Sequence, residues 1–237
     1  MCFLSPNIRF VLTCEHADNR IPHYLKNKVA IDQQLLRSHS GWDIAALEMA
    51  QIMAGQLKAK VFSFDVTRLL VDGNRNLKNK KALSRIARKL DVKDQQRLIS
   101  EYQKYRQDVL SHVQSLRKKA NAGPIFVLSI HSFTPVYKKR TRKTDIGLLF
   151  RTQVEKENQF ANFVRANFPD KDCAVHFNQP YRGYTDCFLN DISELYLKDK
   201  KFVGLFVEFN QRLLKKPKQK ELLAKKLSTA VLRAVQA

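Results

Sequence analysis

Three near-continuous apolar runs constrain this chain more than any other feature: "RFVLTCEH" (9–16), "IFVLSIHSF" (125–133) and "FVGLFVEFN" (202–210). A strand that is apolar at every position is buried on both faces, which happens where helices cover both sides of a parallel sheet. Between these runs lie segments of helical period. "GWDIAALEMAQIMAGQL" (41–57) predicts a helix with Ile44, Leu47 and Ile52 on its apolar face. In 94–120, Leu98, Tyr102, Tyr105, Val109, Leu110, Val113 and Leu116 recur at threes and fours until "NAGP" (121–124) stops the helix. Shorter strands are predicted in "KVFSFDV", "DIGLLF" and "DCAVHFN", with helices over 153–169 and at the basic C-terminus. Strand and helix therefore alternate, and the expected fold is a three-layer α/β architecture with a mostly parallel central sheet and helices on both faces. The 237 residues, 44% hydrophobic, suffice for one substantial core, so a single domain spanning 1–237 is expected. The polar stretch "DGNRNLKNKKALSR" (72–85) reads as a long loop of the kind that carries function.

Charge narrows the partners. Lys and Arg number 43 against 22 Asp and Glu, a net +21, so anionic molecules are attracted before contact. The basic residues are scattered through the chain, without zinc-finger spacing or an RNA-binding aromatic signature. A solvated basic surface is the plain reading. The alternative is a non-catalytic protein binding nucleic acid or another polyanion. Cys2, Cys14, Cys173 and Cys187 form no CxxC pair and read as reduced thiols, which places the chain in the cytoplasm. The N-terminus does not read as a secretory signal, and no run approaches the ~18 apolar residues that a membrane span requires.

The three apolar runs end in chemistry. Ligands of open parallel sheets bind outside the carboxyl ends of the strands, and there the runs deliver Glu15-His16, His131-Ser132 and Glu208. Two histidines and a carboxylate are the usual ligands of a catalytic zinc, and a further glutamate can take the proton of its water. Asp43, four residues after His39 at the expected helix start, is one candidate for the carboxylate. Glu15 and Asp18 compete, although Glu15 should point away from its neighbour His16 on an extended chain. "TRLLVDGNRN" supplies Arg68, Asp72, Asn74 and Arg75 after a strand, and its arginines with Asn74 suit a carboxylate-bearing substrate, with Tyr181 and Arg182 of "FNQPYRGYTD" able to line the same cleft. His23, His112 and His176 read as structural. A nucleophilic mechanism through Ser132 or Cys14 is the rival chemistry, but the elbow GxSxG is absent.

Taken together, "CEHADNRIP", "HSGWDIAA", "TRLLVDGNR", "YQKYRQDV", "SIHSFTPV", "DIGLL", "NQPYRGYT" and "VEFN" resemble, in that order, the N-formylglutamate amidohydrolase family. That family is similar to zinc-dependent exopeptidases of the carboxypeptidase type. The resemblance implies hydrolysis of the amide of a small acidic N-acyl amino acid. It places zinc on His16 and His131, with Asp43 as the carboxylate ligand, Glu208 as general base, and Asn74 and Arg75 on the substrate's carboxylate. The chain departs from the pattern where HxxE would need a glutamate but Asn19 stands, where "DLNR" reads "DGNR", and where "GWDIGA" reads "GWDIAA".

Overall fold

A computed structural model describes residues 8–119 and 123–236. Cys2, the first seven residues weighed as a signal, and Asn121 and Ala122 of the helix stop lie outside the described residues. In chain order the elements are strand β1 (Arg9–Cys14), helices α1 (Gln33–Arg37) and α2 (Ala46–Leu57), strand β2 (Lys60–Ser63), and the long helix α3 (Val92–Arg117). Strand β3 (Ile125–Phe133), a hairpin of β4 (Val136–Tyr137) and β5 (Arg140–Thr141), and β6 (Ile146–Leu149) follow. The chain closes with α4 (Glu155–Ala166), β7 (Val175–Phe177), α5 (Phe188–Leu195), β8 (Phe202–Asn210) and α6 (Pro217–Ala234).

Six strands form the central sheet in the order β2-β1-β3-β8-β6-β7. The first four run parallel, β6 is antiparallel to β8, and β7 follows β6 in parallel. The expected mostly parallel sheet is thus present with one reversal. Its cause lies between β3 and β6, where residues 134–145 hold the small hairpin and no helix. A parallel return needs a crossover to the opposite edge, commonly a helix. Here the chain instead re-enters the sheet from the edge at which β3 ended.

Side-chain alternation sorts the sheet into two cores. Leu12, Leu128 and Leu205 face α2, α4 and α6, where Met49, Met53, Phe160 and Leu227 meet them. Val11, Val127 and Phe206 face α3 and α5, packing with Leu98, Tyr105, Val109 and Ile192. Burial of each large side chain contributes about 1.5–3 kcal/mol, so the two layers hold the sheet edges in register. On α3, six of the expected apolar positions are buried, from Leu98 to Leu116, while Leu110 is half-buried. Its start is fixed by Asp91, whose side chain accepts from the Asp94 N–H.

Helix α2 differs from expectation. It begins at Ala46, after Ala45 turns at φ 63°, so Gly41–Asp43 belong to a turn and His39, exposed in the preceding bend, shares no helix face with Asp43. The buried stripe is Met49, Ala50, Met53 and Leu57, whereas Ile44 is exposed and Leu47 and Ile52 only half-buried. The 72–85 stretch is a loop, as expected, closed at its base by an isolated bridge between Val71 and Leu83.

Candidate active site

Period-two alternation carries chemistry onto the α3/α5 side of the sheet. Continuing from Val127, Ser129 and His131 point that way on β3, and Glu208 lies directly opposite His131 on β8. Glu15, just past the end of β1, also faces inward toward α3. It is fully buried, accepts from Tyr105 Oη at 3.2 Å and Ser129 Oγ at 2.8 Å, and sits 3.0 Å from His131 Nε2. His16, its neighbour, is turned away toward the 72–85 loop, where its Nε2 is 2.7 Å from Asp72 Oδ1. The expectation that Glu15 and His16 diverge holds.

The two imidazoles meet at Asp43. His131 Nδ1 lies 2.8 Å and His16 Nδ1 3.3 Å from the same oxygen, Asp43 Oδ2. Burial would raise the Asp43 and Asp72 carboxyls, but the histidines beside them, and for Asp72 also Arg68 and Arg75, hold both well below the usual range. Burial would also raise Glu15, yet its hydrogen bond to His131 and that ring's charge bring it down to about 2. Ionised carboxylates only accept, so each imidazole gives its Nε2–H away, His16 to Asp72 and His131 to Ser129 Oγ at 2.9 Å, whose hydroxyl in turn donates to Glu15 beside the same ring nitrogen. Both Nδ1 atoms then face one carboxylate oxygen. Two nitrogen lone pairs and an anionic oxygen at such distances repel unless protons or a cation stand among them. Burial disfavours the charged imidazoles, but the carboxylates outweigh it and raise His16 and, further, His131.

A cation fits this donor set: ligand atoms of His16, Asp43 and His131 lie within 4.8 Å of one another, all buried. Two imidazoles and one carboxylate with room for a fourth ligand match the preferences of zinc at a catalytic site. The outer groups match as well, since metal-bound histidines usually donate their remaining N–H to a carboxylate. Glu208 supplies a second observation. Its Oε2 is buried without a hydrogen-bond partner, and burial pushes its carboxyl up to about 7 despite the nearby imidazoles.

These groups border a cavity of about 390 Å³ at the carboxyl ends of the strands. His16, Asp43, His131 and Glu208 line one side, with Arg68, Asn74, Arg75 and Arg182 on the remaining wall. These eight residues therefore line one cavity, whereas the competing carboxylates Glu15 and Asp18, and His39, do not line it. Asp72 organises much of this wall. Its Oδ2 accepts from Arg75 Nε at 3.0 Å and lies 3.7 Å from Arg68 Nη2, while Arg68 Nη1 donates to Asp43 at 3.2 Å. Asn74 Oδ1 accepts from the Phe188 N–H at the start of α5 at 3.0 Å, tying the loop to the far side of the cleft.

The roles of Asp72 and Glu15 as histidine partners lie outside what the sequence motifs predict. Glu15 was recoverable from alternation, because Thr13 and Glu15 share the face of Val11. Asp72 was not, since its approach to His16 depends on how an irregular loop folds back. The rival nucleophiles lack activation: Ser132 Oγ donates to the Ile44 carbonyl at 2.8 Å, and burial pushes the Cys14 thiol well up. The described cysteines Cys14, Cys173 and Cys187 are all free. No helix among the described residues is long and apolar enough to cross a membrane.

Fold and site together define an α/β protein with a buried histidine–carboxylate centre at the carboxyl edge of its sheet. The sequence profile of N-formylglutamate amidohydrolase matches residues 8–214, and the chain belongs to that family. No curated protein matches it. Among solved structures it is similar to the gene product Atu2144 from Agrobacterium tumefaciens, with 23% identity and a TM-score of 0.78 over 98% of this chain and 92% of that one. It is also similar to N-formylglutamate amidohydrolase from Ralstonia eutropha JMP134, with 17% identity and a TM-score of 0.75 over 96% of this chain and 92% of that one. Identities this low establish the common fold.

Proposed function

We propose that this protein is a zinc-dependent amidohydrolase of the cytoplasm that cleaves the amide of a small acidic N-acyl amino acid, N-formylglutamate being the leading case. One observation carries the reading: Nδ1 of His16, Nδ1 of His131 and a carboxylate oxygen of Asp43 converge beside a buried glutamate with an unpaired oxygen. Zinc held by those three residues would supply Lewis acidity toward the scissile carbonyl and make bound water more acidic.

The chain's own residues do the rest. Glu208 takes the proton of the attacking water on Oε2 and returns it to the departing nitrogen, so the C–N bond is exchanged for a C–O bond with no net proton change at the enzyme. Arg75 is fixed through Nε by Asp72 at 3.0 Å, and its Nη1 lies 4.0 Å from Asp186 Oδ2, which holds the guanidinium on the cavity wall, within reach of a substrate carboxylate, with Asn74 on the same wall. Arg68, held by Asp43 and Asp72, and Arg182 add positive charge to the same wall. Fixing the carboxylate converts an encounter into an oriented attack.

Metal content and formate release from N-formylglutamate test the reading together. About one equivalent of zinc, lost in His16→Ala and His131→Ala proteins that remain folded, with formate released only by the loaded native protein, is the expected result. A protein that takes up no metal from excess zinc overturns it.

A further inference from the structure

The hairpin of β4 and β5 stands at the edge of the cleft, because the segment joining β3 to β6 never leaves that edge. Its contact with the cavity runs through Arg142, whose guanidinium lies 4.8 Å from the Tyr137 ring and 5.2 Å from that of cavity-lining Tyr181. Two residues, Lys138 and Lys139, join the strands, at φ 47° and 64°. A turn with positive φ at both central positions is the kind that favours Asn-Gly. Two consecutive lysines in it are strained, and strain of this sort clusters where function uses it. Lys138, Lys139, Arg140, Lys143 and Arg182 are exposed and Arg142 is half-buried. None of the six forms an ion pair with a carboxylate among the described residues, unlike Arg68 and Arg75 deeper in the cleft.

We propose that this strained hairpin and its neighbours form an outer anion-binding rim that engages an acidic peptide whose terminal amide lies in the cleft. The proposal rests on the amidohydrolase reading and extends it to substrates whose acyl portion is itself anionic. An acidic peptide fits better than nucleic acid. Arg142, whose Nη1 donates to the Thr134 carbonyl at 3.2 Å, lies over the rings of Tyr137 and Tyr181, and Lys138 lies 5.6 Å from the Tyr137 ring, so cations already occupy the ring faces on which bases would have to stack.

The test replaces the strained pair by the sequence its turn favours, in a Lys138→Asn, Lys139→Gly double variant, and reads binding of fluorescein-labelled hexaglutamate by anisotropy at low salt. In parallel, kcat/KM for release of glutamate from tetraglutamate is compared with that for N-formylglutamate, using zinc-loaded protein. The expected result is affinity for hexaglutamate weakened by about tenfold or more, the same fall in the ratio of the two kcat/KM values, and a raised thermal midpoint as strain is relieved. Hexaglutamate binding equal in both proteins overturns the rim. So does single-stranded DNA of equal charge binding more tightly than the peptide through the same lysines. Lysine-dependent peptide binding without hydrolysis of either compound overturns the amidohydrolase reading instead, leaving an anion-binding surface.

Discussion

Asp72 joins His16 to Arg75: one carboxylate oxygen takes the imidazole Nε2–H at 2.7 Å and the other takes the guanidinium Nε–H at 3.0 Å. The group that orients a candidate metal ligand thus also orients the candidate substrate anchor. An Asp72→Asn substitution keeps the shape but loses the charge that both partners need. Zinc affinity should fall by about 10- to 100-fold and KM should rise in the same protein. Competition against a chelator and steady-state kinetics measure the two effects separately, and a change in one alone contradicts the shared role.

Glu208 should govern the acidic limb of the pH profile. Its folded value, raised by burial to about 7, means the base form is populated as pH increases, and a cation at the adjacent cluster draws that value down. Activity should therefore rise with pH along a limb lying below 7. A Glu208→Gln protein should retain zinc while losing about 10²- to 10⁴-fold in kcat. Zinc retention with near-native turnover would assign the proton transfer elsewhere.

Without metal, the histidine pair makes stability depend on pH in a definite direction. Carboxylates outweigh burial and raise His16 and His131, so their stabilisation is complete below the unfolded value of about 6.5 and disappears as pH rises through the folded values. The thermal midpoint of metal-free protein should fall from neutral to alkaline pH, by about 2–4 °C per kcal/mol lost. Zinc-loaded protein should show a flatter profile, since the cation replaces the protons. Calorimetry of both forms across that range provides the check.

Gly73, where the family pattern has leucine, faces no free space. A Cβ there would lie 2.6 Å from the Phe64 ring and 2.8 Å from the Glu15 carbonyl oxygen. Gly73→Leu should cost about 1–3 kcal/mol through overpacking, visible as a lowered midpoint in denaturant. Combined with Phe64→Ala, which itself costs about 3–5 kcal/mol, the loss should be smaller than the sum of the two single changes, because the ring that the new side chain strikes is gone.

Much of this was legible because apolar strands and period-two alternation act locally. His131 and Glu208 were placed at one edge from their positions in two apolar runs, and β3 pairs with β8 in the register that sets them opposite each other. Helix α3 was equally plain, since its stripe is long and regular. The approach to α2 was not: Ala45 adopts a positive φ, and nothing in "GWDIAA" announces that the helix waits until Ala46. The site depends on that delay, for it places Asp43 in a turn where it reaches both histidines. The reversal of β6 was hidden for another reason, because strand direction follows from what connects the strands rather than from the strands themselves.

That reversal separates two parts of the protein that could otherwise change only together. Both ends of the 134–145 segment are anchored at one edge of the sheet, on β3 and on β6, and its last residues are bound to the end of β8, where Asn210 donates to the Thr144 and Asp145 carbonyls at 2.8 and 2.9 Å, so it is the exposed hairpin at 136–141 that can vary without touching the strand that carries Glu208. The hairpin tip is the part of this edge open to exchange, and grafting residues 136–141 between relatives alters the rim of the cleft while the histidine–carboxylate centre keeps its place.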